Sequence, residues 1–157
     1  LQGARHGGQT SRVVALLKTL DESKDLAQSL RSIVLSGERL PGFGHGLYPD
    51  DDPRARVLLD QMVRLMPDSP SVRLSLRVAK AAEAATGKKP NVDFALGTLE
   101  RALGLPAKSS LALFLLGRSV GWIAHLLEQH QSPNLIRPRA HYTGPTPPEL
   151  LKHLAPL

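Results

Sequence analysis

Apolar residues along this chain recur mainly at intervals of three and four, the spacing that places them on one face of an α-helix. No stretch shows the alternation of apolar and polar residues that is typical of a β-strand, and no internal repeat appears. The pattern therefore predicts an all-α fold. Helices are expected at about 10–20, 23–36, 53–66, 71–86, 91–103 and 109–129, with a short terminal helix beginning near Pro148.

The residues at the ends of these segments predict where the helices begin and end. Thr10 or Ser11 can cap the first helix, Asp52 precedes a proline in the way that an N-cap does, and Asn91 can cap the fifth helix. Gly37 suits the left-handed residue that ends a helix. The predicted core positions are Val13, Leu16, Leu17, Leu20, Leu26, Leu30, Ile33, Val57, Leu58, Met62, Leu65, Val92, Leu96, Leu99 and Leu103.

Composition narrows the classes of function. The 157 residues fit one domain, and 20 Lys and Arg against 14 Asp and Glu give a net charge of +6. The basic residues are spread along helices rather than grouped, and aromatic residues make up 4%, too few for base-stacking platforms. Binding of nucleic acid is therefore disfavoured, whereas small anionic substrates fit the charge.

Two further features bear on the compartment and on a membrane. Cysteine is absent, which excludes disulfide frameworks and thiolate metal sites and suits a reducing compartment. The longest apolar stretch, Leu111 to Leu127, is interrupted by polar residues and glycines, so a bilayer span is not expected. We expect no metal site, no membrane association and a cytoplasmic location.

Two histidines and one carboxylate stand out as candidate chemical groups. His6 is followed by two glycines and a helix start, where the helix dipole favours a neutral imidazole. His45 lies in a glycine-rich loop that permits close approach of a ligand, and Asp93 falls in the first turn of its helix. Both histidines could instead be incidental turn residues, and an acidic first-turn residue ordinarily complements the helix dipole by about 0.3–1 kcal/mol.

Arg118 is the most informative charged residue, because it interrupts the apolar stretch and an unpaired buried guanidinium is costly. We therefore expect Arg118 to have an anionic partner. A structural carboxylate and a substrate carboxylate held by two hydrogen bonds both remain open.

The order and type of six short segments resemble the signatures of the citrate synthase family. The resemblance runs from Arg5 to Gly144, over nearly the whole chain, so that no single motif has to carry it. The segments are Ala4-Arg5-His6-Gly7-Gly8, Pro41-Gly42-Phe43-Gly44-His45, Asp52-Pro53-Arg54-Ala55, Pro90-Asn91-Val92-Asp93-Phe94, Gly117-Arg118-Ser119-Val120-Gly121-Trp122-Ile123-Ala124-His125 and Arg137-Pro138-Arg139.

The resemblance implies a domain organisation. Residues 1–8 would be a remnant of the large helical domain, 9–105 the small mobile domain on the CoA side, and 106–157 the C-terminal part of the large domain with its terminal arm. Family members have a large helical domain before the first histidine motif. The chain is therefore expected to be a fragment of a longer protein.

The resemblance also implies roles for individual residues. Asp93 would remove a proton from acetyl-CoA, His6 would stabilise the resulting enolate, and His45 would polarise the oxaloacetate carbonyl. Three arginines would hold substrate carboxylates: Arg54, Arg118 and, from the neighbouring subunit of a homodimer, Arg137. The implied reaction is the condensation of acetyl-CoA with oxaloacetate to citrate and CoA in the tricarboxylic acid cycle, with no permanently bound cofactor.

Two departures from the family pattern leave alternatives open. Residues 46–52 are acidic where many relatives carry basic residues that meet the CoA phosphates, so that Lys88 or Lys89 would have to substitute there. Residues 9–11 also differ from the Ala-Asn-Glu of many relatives. The alternatives are a 2-methylcitrate synthase using propionyl-CoA and a non-catalytic module of the same fold.

Overall fold

The structure is a computed structural model of the chain that describes residues 8–37 and 39–132. The described residues contain six helices and no strand, apart from one isolated bridge between Phe43 and Pro90. The all-α prediction is therefore confirmed. The helices are α1 Gln9–Asp21, α2 Leu26–Leu35, α3 Pro53–Leu65, α4 Pro70–Thr86, α5 Val92–Ala102 and α6 Ser109–Gln131.

The chain divides into two compact units, Leu1–Ile123 and Ala124–Leu157. The described part of the first unit holds α1 to α5 and most of α6. The described part of the second unit is the end of α6, where His125 Nδ1 lies 3.3 Å from Glu128 Oε2 on an exposed surface. The division predicted from the resemblance, with boundaries after residues 8 and 105, stays a prediction.

Helix α5 lies at the centre of the first unit and packs against α1, α3 and α4. Phe94, Ala95 and Thr98 have no exposed surface. Gly97 lets α1 approach closely, because a Cβ at this position would lie 2.7 Å from Val13 Cγ1. The residues predicted to face the core from α1 are all buried, as the apolar spacing indicated.

Most predicted helix ends are confirmed. Asp52 and Asn91 are N-caps whose side chains accept backbone N–H groups, and Gly37, at φ +76°, follows the end of α2. The predicted cap of α1 was wrong. This helix begins after Gly8, which offers no side-chain acceptor, and Thr10 is fully buried inside the helix because its small side chain fits against α5.

The predicted core face of α3 was wrong in part. Val57 and Leu65 are 56% and 70% exposed, whereas Ala55 is 1% exposed and Met62 3%. The face that contacts α5 is centred on the small Ala55, which packs with Ala95, so burial follows the close approach of the two helices rather than side-chain hydrophobicity alone.

Helix α6 has nearly the predicted extent, and most of its apolar side chains are exposed. Ser110 is its one buried described residue, and Leu116, Val120 and Ile123 are 56–70% exposed. Arg118 is exposed, lies over Gly121, and forms no ion pair with the described residues, so these residues supply no structural carboxylate partner. The expectation of an anionic partner stays a prediction. The apolar neighbours of Arg118 face outward, so the guanidinium loses little hydration.

Length and composition alone would allow α6 to cross a membrane, and among the described residues no other helix meets these criteria. This is weak evidence, since core helices of soluble proteins meet the same criteria.

The start of α6 is held by α5, because the buried Glu100 accepts hydrogen bonds at Oε2 from Ser110 N at 2.8 Å and Ser110 Oγ at 2.6 Å.

Candidate active site

The N-terminus of α5 organises the candidate site around Asn91. Its Oδ1 accepts hydrogen bonds from the backbone N–H groups of Asp93 at 3.0 Å and Phe94 at 3.4 Å, which caps the helix. Its Nδ2 donates to the carbonyl of Gly44 at 2.9 Å. One side chain therefore connects the first turn of α5 to the glycine-rich loop that carries His45.

Backbone hydrogen bonds strengthen this connection. Asn91 N donates to Gly42 O at 2.8 Å, and Gly44 N donates to Lys89 O at 2.9 Å. Both glycines have positive φ, +84° and +73°, a conformation that other residues adopt only with strain. Glycines at these two positions are thus required for the loop to pair with the segment before α5, and His45 follows immediately.

His45 is oriented by its own loop. Its Nδ1 accepts a hydrogen bond from Leu47 N at 3.1 Å. An accepting Nδ1 places the proton of the neutral imidazole on Nε2, so Nε2 is a hydrogen-bond donor. The ring of His45 also lies against the ring of Tyr48, with centroids 5.1 Å apart. In this tautomer the Nε2–H can polarise a carbonyl oxygen.

Arg54, in the first turn of α3, is paired with the buried Asp52. Arg54 Nε lies 2.9 Å from Asp52 Oδ1, and Nη2 lies 2.8 Å from Oδ2. Burial raises the pKa of the Asp52 carboxyl, but hydrogen bonds from Arg54 and from Val92 N, together with the Arg54 charge, outweigh burial and bring that pKa below its ordinary value. The hydrogen bond with Asp52, against partial burial, raises the pKa of Arg54.

The structure brings His45, Arg54 and Asp93 into one region. The Arg54 guanidinium lies over the Tyr48 ring, 5.1 Å from its centroid, and that ring contacts His45. Asp93 is 4% exposed in the first turn of α5, and its negative charge contributes to the raised pKa of Arg54. Three of the six predicted catalytic and substrate-binding residues therefore share one site.

The roles of the other three residues stay predictions. His6 and Arg137 lie outside the described residues. Arg118 lies in the middle of α6 on an exposed surface. The expectation that it binds a substrate carboxylate stays a prediction.

The two candidate CoA-binding lysines line different depressions. Lys89 borders a shallow cleft with His45 and Asp52. Lys88 lies over Gly44 and lines a cavity of about 300 Å³ together with Arg39, Leu40 and Phe43. Two positively charged side chains, Lys88 and Arg39, and the apolar side chains of Leu40 and Phe43 therefore line one cavity.

Four residues of the site and of the Lys88 cavity were not predicted to have these roles. Asp52 was identified as a cap, although the spacing Asp-x-Arg could have indicated its ion pair with Arg54. Asn91 was likewise identified only as a cap. Tyr48 and Arg39 gave no sequence signal, because their roles depend on a loop conformation that local spacing does not encode.

The chain belongs to the citrate synthase family, since the family model "Citrate synthase, C-terminal domain" matches residues 1–139. It is 36% identical over 148 residues to the citrate synthase of Haloferax volcanii, covering 92% of this chain and 39% of that protein. It is 31% identical over 155 residues to the 2-methylcitrate synthase of Shewanella oneidensis, covering 96% of this chain and 41% of that protein. The chain thus spans about two fifths of the length of these relatives.

Solved structures show the same fold. The citrate synthase of Thermotoga maritima superposes with a TM-score of 0.77 at 32% identity, over 92% of this chain and 41% of that one. The citrate synthase of Thermoplasma acidophilum, in a ternary complex with carboxymethyl coenzyme A and oxaloacetate, superposes with a TM-score of 0.66 at 32% identity, over 93% of this chain and 41% of that one.

Proposed function

We propose that this chain is the part of a longer enzyme that condenses acetyl-CoA with oxaloacetate to give citrate and CoA. The observation that carries the proposal is the joining of the His45 loop, Arg54 and the first turn of α5 through Asn91 and Asp52. Family membership supplies the reaction class, and the Thermoplasma relative binds a CoA derivative and oxaloacetate together.

The chemistry assigns a separate role to each group. Asp93 removes a proton from the methyl carbon of the thioester, and His6 stabilises the enolate oxygen. His45 donates a hydrogen bond from Nε2 to the ketone oxygen of oxaloacetate, which makes the ketone carbon more electrophilic. The enolate carbon attacks the ketone carbon, the electrons of the ketone C=O π bond move to its oxygen, and that oxygen takes up a proton to become the hydroxyl group of the product. Water then attacks the thioester carbonyl, the C–S bond breaks, and CoA leaves as the thiol.

The carboxylates of oxaloacetate require cations. Arg54 is in place beside His45, with a side chain that is 43% exposed. Arg118 and Arg137 complete the set in this proposal, with Arg137 supplied by the second subunit of a homodimer. The exposed apolar face of α6 supports an assembled state, because a face of this extent is ordinarily covered by another part of the protein or by a second copy.

The charges available to bind the CoA phosphates differ from those of many relatives. The segment after His45 carries three consecutive aspartates at 50–52, which disfavour phosphate there. Lys88 and Arg39 offer the better phosphate contacts, since they line a common cavity with an apolar floor. Lys89 is the weaker candidate because it borders the cleft that the aspartates share. We place this activity in the cytoplasm and in the tricarboxylic acid cycle.

A second candidate is 2-methylcitrate synthesis from propionyl-CoA, which the similarity to the Shewanella enzyme favours. The two reactions share their mechanism and differ in one methyl group on the acyl chain. A hydrophobic pocket distinguishes such substrates by about 1–3 kcal/mol, so both can proceed with different efficiencies.

Release of CoA by the protein at its full natural length tests the proposal. We expect release with oxaloacetate and acetyl-CoA, a lower kcat/KM with propionyl-CoA, and no release without oxaloacetate. A higher kcat/KM with propionyl-CoA would assign the protein to the second reaction. Absence of release with either thioester, from protein that still binds CoA or oxaloacetate by calorimetry, would favour a non-catalytic module.

A further inference from the structure

The carboxylate of Asp52 accepts more hydrogen bonds than helix capping requires. Its Oδ1 accepts from Arg54 N at 3.1 Å and Arg54 Nε at 2.9 Å, and its Oδ2 accepts from Arg54 Nη2 at 2.8 Å and Val92 N at 2.9 Å. The side chain is 1% exposed. Both oxygens are therefore engaged twice, by donors from two helices that are far apart in sequence.

Another aspartate in the chain shows what capping alone looks like. Asp25 caps α2 by accepting one hydrogen bond at 3.0 Å from Gln28 N, and it is exposed. Asp52 also makes a capping bond, with Arg54 N one position nearer the cap, and adds three others. A buried ion costs stability unless all its hydrogen-bonding capacity is used, and these three additional bonds satisfy that condition.

The position of Asp52 fixes the orientation of the Arg54 guanidinium. Two of its nitrogens are bound to Asp52, and one face rests on Tyr48. Nη1 donates to no residue that the structure describes. The outer edge, which comprises Nη1 and the second N–H of Nη2, is thus presented in the planar geometry that a carboxylate accepts with two hydrogen bonds.

The same carboxylate holds the start of α5. Val92 is the first residue of this helix, and its N–H is one of the amides that a helix leaves without an internal partner. The bond from Val92 N to Asp52 Oδ2 satisfies that amide and fixes the residue next to Asp93. Asp52 therefore contacts both the arginine and the helix turn that carries the carboxylate.

We propose that Asp52 is a positioning residue that aims the outer edge of Arg54 at a carboxylate of the 2-oxo acid and holds the first turn of α5 in register with it. The proposal rests on the proposed function for the identity of that acid. Asp52 touches no reacting atom and acts through Arg54 and Val92.

Asp52→Asn tests the first part. Asn keeps the cap at Oδ1 but places its amide N–H₂ where Oδ2 accepted from Arg54 Nη2 and Val92 N, so two donors face a donor and the guanidinium loses its fixed edge. We expect the oxaloacetate KM to rise by about 10- to 100-fold, the order of a misplaced binding group, and the acyl-CoA KM to change by less than about 2-fold. If Asp52 served only to neutralise Arg54, its removal would strengthen anion binding. A lower oxaloacetate KM would therefore overturn the proposal.

A double-mutant cycle identifies the path. If Asp52 acts on the oxo acid through Arg54, the pair Asp52→Asn with Arg54→Gln has the same oxaloacetate KM as Arg54→Gln alone. Additive effects would refute that path. Asp25→Asn is the matched control, because it makes the same exchange at a cap with one bond, and it should leave both KM values unchanged.

A readout independent of turnover tests the second part and separates this proposal from the proposed function. Hydrogen exchange at Val92 N and Arg54 Nε should be slow, faster in Asp52→Asn and unchanged in Asp25→Asn. Fast exchange in the unaltered protein overturns the proposal even if Asp52→Asn does not fold. If CoA release fails but calorimetry shows oxaloacetate binding that Asp52→Asn weakens, the positioning role stands and the proposed reaction falls. If Asp52→Asn releases CoA normally, the proposed reaction stands and the positioning role falls.

Discussion

We expect that substitution of Gly42 by alanine both destabilises the fold and displaces the loop that carries His45. Gly42 adopts φ +84°, and a Cβ there would lie 2.6 Å from Val13 Cγ2 and 2.9 Å from Phe94 Cβ. Both neighbours have no exposed surface, so neither can move into solvent. The loop would have to separate from α1 and α5, although the carbonyl of Gly42 accepts the hydrogen bond from Asn91 N.

The magnitude follows from three contributions. Left-handed backbone costs an alanine about 1–2 kcal/mol, and overpacking a closed core costs about 1–3 kcal/mol. Restriction of the unfolded chain returns about 0.4–1 kcal/mol. We therefore expect Gly42→Ala to lower the free energy of unfolding by about 1–4.6 kcal/mol, with a central value of about 3 kcal/mol.

Gly37→Ala is the matched control for the backbone contribution. Gly37 has φ +76°, but a Cβ there would have no heavy atom within 4 Å. Urea unfolding followed by circular dichroism should give a loss of about 0–1.6 kcal/mol for this variant. Equal losses for the two variants would refute the close packing of Gly42 against Val13 and Phe94, because only that packing distinguishes the two sites.

Four other variants or conditions test further parts of the molecule. Asp93→Asn should reduce turnover severely while oxaloacetate binding by calorimetry survives, because an amide cannot accept the proton; near-normal turnover would remove Asp93 from the role of base. Arg118→Lys should weaken oxaloacetate binding more than acyl-CoA binding, and equal loss for both ligands would contradict a role in binding the oxo acid. Since Arg118 is exposed, the same change should alter the free energy of unfolding of this chain by less than about 0.5 kcal/mol. Because the pKa of Asp52 is lowered, its contribution to stability is complete above the ordinary pKa of 3.8 and is lost as pH falls through the lowered pKa. The free energy of unfolding should therefore fall less steeply with decreasing pH below about pH 4 in Asp52→Asn than in the unaltered protein. An unchanged pH dependence would contradict the pairing. The 157-residue chain alone should be folded, catalytically inert and self-associated through α6, and a helical monomer by light scattering would contradict the last point.

Local signals in the sequence predicted the elements of the fold well. The apolar spacing of α1 identified its buried face, and the short polar side chains of Asp52 and Asn91 identified two helix starts, because both signals depend on residues a few positions apart. The buried face of α3 was only partly predicted, since it depends on how closely Ala55 approaches α5.

The candidate site was predicted as residue types but not as a geometry. His45 and Asp93 were identified from their motifs, yet their connection depends on Asn91, whose Nδ2 reaches Gly44 across 47 positions of the chain. The bond from Val92 to Asp52 spans 40 positions. Separations of that size leave no local pattern. The surroundings of Arg118 could not be predicted for a related reason, since apolar spacing shows which face of α6 avoids water but not which surface covers it.

The segment 45–51 is anchored at both ends to the same short stretch of backbone. Gly44 pairs with Lys89 just before it, and Asp52 accepts from Val92 just after it. Residues 46–50 between these anchors are exposed. Changes of charge at exposed positions such as 46, 49 and 50 can therefore accumulate without moving Arg54 or the first turn of α5, which makes these positions suited to altering the surface charge beside the site, by evolution or by an engineer.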